Sequence, residues 1–209
     1  MRRRLAAIAA AIALAVPAGA AASTDREAAR AGAAWLETLS IGAVGQQADA
    51  IVALAATGRP RTTLRARLAR MIPAASSYAR TAGAAGKVVL AAVAAGRNPR
   101  SLGGVNYVAR IRAQYAGGRY GASAYDQAYA ILALRAAGEP VPRAAITALR
   151  DTRGIGGWGF GLTRSGRDDV SATGLLIEAS RSAGVPASDV MLRQATAWLL
   201  AQRDRKSVV

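Results

Sequence analysis

The chain has no cysteine, no histidine, a single phenylalanine and, among 28 basic residues, only two lysines, Lys87 and Lys206. Without cysteine there is no disulfide and no thiolate, so the fold rests on burial alone. Without histidine there is no imidazole base, which excludes Ser-His-Asp and Cys-His nucleophiles and zinc sites built from those ligands. Aromatic residues are 5% of the chain and β-branched alternation is scarce, so little or no sheet is expected. Acids are few as well, 12 against the 28 bases, leaving a formal net charge of +16.

What remains is rich in alanine and 52% hydrophobic over 209 residues, enough for one helical domain with a real core. The first residues have the layout of a secretory leader. Arg2, Arg3 and Arg4 precede an apolar run from Leu5 to Val16, then Pro17 and small residues to Ala22. The run is short of the ~20 residues of a membrane span, and a signal peptide over 1–22 with cleavage before Ser23 is expected. That makes the protein secreted or displayed at a cell surface, in a bacterial setting. At the other end, Asp204-Arg205-Lys206-Ser207-Val208-Val209 is what a common sequencing-adapter text encodes, and 204–209 is expected to be an artefact tail.

Between these ends, four stretches of small and aliphatic residues each run into a glycine, at Gly58, Gly96, Gly138 and Gly184, spaced 38, 42 and 46 residues apart. Proline follows each within three residues, at Pro60, Pro99, Pro140 and Pro186. Helices near 47–57, 82–95, 125–137 and 170–183 that stop at a glycine are the implied pattern. A second set carries arginines on one face and aliphatic residues on the other, at Arg30 to Leu39, Leu64 to Met71, Tyr107 to Gln114, Ala144 to Arg150 and Leu192 to Gln202. The unit is helix, turn, helix, with the glycine-ended helices inside and the arginine-bearing ones outside.

The turns are distinctive. Gly117 to Gly121 reads GGRYG and Gly156 to Phe160 reads GGWGF, followed by Asp126 and by Asp168 and Asp169. Tyr107 and Gln114 stand upstream, and the phrases AAWLETL around Trp35 and TAWLLAQ around Trp198 repeat one another. At these residues the chain resembles the squalene-cyclase and prenyltransferase repeat, the family of the α/α toroid, over nearly all of residues 23–203. The resemblance implies an all-α, open partial barrel of inner and outer helices. It also implies that Gln114, Gln202, Tyr120 and Trp158 tie adjacent units together. More loosely, it extends to extracellular cobalamin carriers that use this toroid for binding.

The family's enzymes set requirements that this chain does not meet. A zinc-dependent prenyltransferase needs cysteine and histidine ligands. Class II terpene cyclases protonate substrate from a D-x-D-D cluster, and the nearest match, Arg167-Asp168-Asp169, lacks the first aspartate. A fragment of a terpene-cyclase-like enzyme is the alternative, and a tyrosine-based polysaccharide lyase, drawing on Tyr120, Tyr125 and Tyr129 beside Asp126, is a more distant one. Asp126 and Asp169 also sit where helices begin, where a carboxylate caps free N–H groups.

The expectation is therefore a monomeric binding or cell-surface interaction module with no catalytic machinery, metal or cofactor. Its ligand, small or extended, would meet Tyr120, Tyr125, Asp126, Tyr129, Trp158, Asp168 and Asp169. The basic surface would attract an anionic cell-surface polymer, with no specific nucleic acid implied.

Overall fold

The computed structural model describes residues 21–206, and among them the chain forms nine α-helices and no β-strand. In chain order these are α1 (Ala21–Thr38), α2 (Val44–Ala56), α3 (Arg61–Tyr78), α4 (Ala82–Ala94), α5 (Tyr107–Ala113), α6 (Ala124–Ala136), α7 (Arg143–Thr152), α8 (Val170–Ser182) and α9 (Val190–Lys206). The expected leader lies outside the described residues except for Ala21 and Ala22, as do 207–209 of the suspected tail. None of the described helices is long and apolar enough to cross a membrane.

The four glycine-ended helices, α2, α4, α6 and α8, are each 13 residues long. Their stops are built alike, and Gly138 shows how. It takes φ +78°, donates to the Arg135 carbonyl at 3.1 Å, and lets Glu139 reach back to the Leu134 carbonyl at 2.8 Å. A side chain at that φ would be strained, and these two bonds satisfy carbonyls that the helix end leaves free. At the other end, the side chains of Thr81, Ser123 and Asp169 cap α4, α6 and α8 by accepting from the N–H groups of Ala84, Asp126 and Ala172.

These helices pack side by side in the order α2, α4, α6, α8, and four others flank the row: α1 and α3 on α2, α5 on α4, and α9 on α8, while α7 is tied to α6 by the Gln127 hydrogen bond to the Ala145 carbonyl. Small residues bring the central pair close. A Cβ at Gly86 would lie 2.6 Å from the Tyr129 carbonyl oxygen, so only glycine lets α4 and α6 approach as they do. Burial follows the order of the row. α4 buries eight of its 13 residues and α6 seven, whereas α3 buries four of 18 and α7 two of 10, so the core sits at the α4–α6 contact.

α3 departs from the sequence expectation. A stop at Met71, ahead of Pro73, is what proline dictates locally, yet the helix runs on to Tyr78. Met71 and Ala75 are both fully buried, on either side of the proline. Arg110 of α5 then holds the last turn, donating to the Ser76 carbonyl at 2.8 Å and to Ser76 Oγ at 2.9 Å. Tertiary contacts carry the helix past the missing N–H.

Candidate functional site

Because α2, α4, α6 and α8 are of equal length and side by side, equivalent positions line up. The sixth residues are Asp49, Lys87, Tyr129 and Leu175, and the ninth are Val52, Leu90, Leu132 and Glu178. All eight line one cavity of about 350 Å³, completed by Ala48, Ala53 and Ala56 of α2. Residues three apart on a helix share a face, so one stripe from each helix meets its neighbours here. The layer of sixth residues is mostly polar. The layer one turn further along is aliphatic except for Glu178.

Lys87 organises the polar layer. Its Nζ donates to Asp49 Oδ2 at 2.7 Å and lies 4.8 Å from the centre of the Tyr129 ring. Burial pulls the Lys87 ammonium down, but the Asp49 hydrogen bond, with Tyr129 and the Asp49 charge behind it, more than offsets this and holds it above its ordinary value. Burial pushes the Tyr129 phenol up, Asp49 adds to the rise and Lys87 opposes it. Burial also raises the Tyr78 phenol beside this cluster and the Glu178 carboxyl across the cavity. At neutral pH Lys87 and Tyr129 are therefore firmly protonated. They can donate hydrogen bonds, and neither is a ready nucleophile or base.

Of the residues expected at a ligand site, Tyr129 alone lines this cavity. Tyr125 stands behind it, stacked at 6.5 Å between ring centres, with Phe160 a further 5.7 Å from Tyr125. Tyr120 and Trp158 lie in the core, where burial pushes the Tyr120 phenol up to about 12. The Trp158 indole donates to the Leu149 carbonyl at 2.8 Å. The three acids are engaged by backbone and side-chain donors. Asp126 accepts from Ser123 Oγ at 2.7 Å and from the Gly83 N–H at 3.0 Å, pinning the start of α6 to the start of α4. Asp168 accepts from the Gly156 and Gly157 N–H groups at 2.9 and 3.0 Å, and Asp169 caps α8 at 2.7 Å. No three His, Cys, Asp or Glu side chains come together among the described residues as a metal would need.

The tying glutamines also differ from expectation. Gln114 does cross between units, donating to the Arg80 carbonyl at 3.1 Å, whereas Gln202 turns back within α9 to the Trp198 carbonyl. The strongest tie is one that the sequence did not single out. Gln127, the fourth residue of α6, is fully buried, accepts from the Tyr120 N–H at 2.9 Å and donates to the Gly118 and Ala145 carbonyls at 3.1 Å each. Thr173 holds the same fourth position in α8 and accepts from the Trp158 N–H at 2.9 Å.

Asp49, Lys87 and Glu178 were missed as site residues, though a signal for the first two was present. Asp49, Lys87, Tyr129 and Leu175 each stand nine residues before a glycine stop, so counting back from Gly58, Gly96, Gly138 and Gly184 aligns them. Compared with family models, curated proteins and solved structures, the chain matches none.

Proposed function

We propose that this chain is an exported binding module built on the α/α-toroid plan, with its ligand held in the cavity between α2, α4, α6 and α8. The toroid plan is supported by the alternation along the chain, in which every second helix joins the row and α1, α3, α5 and α9 flank it. The single observation that carries the binding function is the cavity. Its walls are largely apolar, and its few polar groups converge from separate helices. A volume near 350 Å³ suits a small molecule of roughly ten to twenty heavy atoms rather than a polymer chain. The anionic cell-surface polymer enters as a second partner, drawn to the basic exterior that remains when the three leader arginines are taken from the +16 formal charge. The module acts as a monomer.

Isothermal titration of the full chain with 4-phenylbutanol tests the cavity. Binding is expected, and Tyr129→Ala, which removes one wall, should weaken it by roughly fivefold, about what an aromatic contact of ~1 kcal/mol supplies. Asp169→Asn keeps a capping oxygen and should leave affinity unchanged. Absence of binding, or full affinity in Tyr129→Ala, would count against the cavity as the site.

A further inference from the structure

The chain's single phenylalanine stands on the surface. Phe160 is 64% exposed, where its ring adds little to the core, yet its backbone is held on both sides. Its carbonyl accepts from the N–H of Ala124, the first residue of α6, at 2.7 Å. Two residues on, Leu162 takes φ +49°, a conformation that strains a leucine. There it buries its side chain and accepts from Arg119 through its carbonyl. The ring is therefore presented to solvent on a fixed backbone beside α6.

Phe160 continues a line of rings that ends in the cavity. It lies 5.7 Å from Tyr125, and Tyr125 lies 6.5 Å from Tyr129, which lines the cavity. Tyr125 and Tyr129 are the second and sixth residues of α6, one turn apart on one face. From the ninth positions toward the helix starts, the wall thus passes from aliphatic side chains, through the Asp49–Lys87 pair, to aromatic rings.

The rings are inclined to one another, Tyr125 to Tyr129 by 29° and Tyr125 to Phe160 by 46°. No single flat ligand can lie on all three, and an alkyl chain is served as well by the aliphatic layer alone. Pyranose units joined by rotatable glycosidic bonds can follow the line, each laying its apolar C–H face on a ring and turning its hydroxyls to the edge. The tyrosine hydroxyls and the half-exposed Asp49 carboxylate meet those hydroxyls as donors and acceptors.

We infer that the ligand is a glycoside, with an apolar aglycone in the cavity against Leu90, Leu132 and Leu175 and its sugar units laid outward along Tyr129, Tyr125 and Phe160. This rests on the cavity being the binding site and adds what the ligand carries outside it.

Three uncharged probes that share one body separate the two claims: 4-phenylbutanol, its β-glucoside and its β-cellobioside, titrated calorimetrically into the full chain. Without charge on the probe, the basic surface adds no attraction of its own. Each added sugar is expected to tighten binding by roughly fivefold, about what one contact with an aromatic ring supplies. Phe160→Ala should bring the cellobioside down to the affinity of the glucoside. Ile155→Ala, which trims another exposed apolar side chain off the line, should change none of the three. Glycosides that bind no better than the alcohol, or a cellobioside gain that survives Phe160→Ala, overturn the inference and leave the cavity standing as an apolar site. Glycosides that bind while the alcohol does not take the aglycone out of the cavity and overturn it as well. Failure of all three probes to bind overturns both claims.

Discussion

Trp158→Ala is expected to destabilise the protein by ~3 kcal/mol or more, read as a lowered midpoint in denaturant unfolding. The indole is fully buried. Its removal leaves a large cavity at the turn between α7 and α8. It also strips the hydrogen bond from the Leu149 carbonyl, one of the last four of α7, which has no helical N–H of its own to accept from. Ser165→Ala, on the exposed loop that follows, serves as the reference and should change almost nothing. Equal effects at the two positions would mean that the turn is not packed around the ring.

Gln127→Leu should cost roughly 3 kcal/mol despite its similar volume, because the loss is of partners rather than of packing. Three backbone groups, the Tyr120 N–H and the Gly118 and Ala145 carbonyls, lose a buried hydrogen bond when the amide is removed. The same substitution at Gln46, which is exposed near the start of α2, provides the contrast and should be close to neutral. A neutral Gln127→Leu would show that the turn from Gly117 to Gly121 is held by something other than this side chain.

These two positions also mark how far the sequence could be read. The aromatic ring in GGWGF and the four glycine stops announce themselves because each answers a local demand: an anchor for a turn, or a backbone conformation that only glycine takes easily. The helices followed from the same local signals, and their all-α character is what the structure has. The expected end of the outer helix α3 at Met71 fell short for the converse reason, although Pro73 stands just beyond it. The proline's local preference is strong, but buried Met71 and Ala75 and the grip of Arg110 on Ser76 outweigh it.

The site was less legible than the fold. Asp168 and Asp169 looked like a ligand-facing pair, and in one chain an acid that accepts from turn N–H groups reads the same as an acid that meets a ligand. Lys87 and Asp49 stood in plain view but belong to different helices 38 residues apart, and their 2.7 Å contact depends on how those helices align. Gln127 and Glu178 have no motif around them. What sets them apart is burial for Gln127 and a place in the cavity lining for Glu178, and both are properties of packing.

The central claim is that the stripes of α2, α4, α6 and α8 together form a binding cavity. Its most direct test is a methyl-detected NMR titration of the valine- and leucine-labelled full chain with 4-phenylbutanol. Shift changes should concentrate on the methyl groups of Val52, Leu90, Leu132 and Leu175, one from each helix of the row and all saturating together. Changes that fall instead on exposed methyls such as those of Val190 and Leu200, or that leave these four untouched while the alcohol binds, would contradict it.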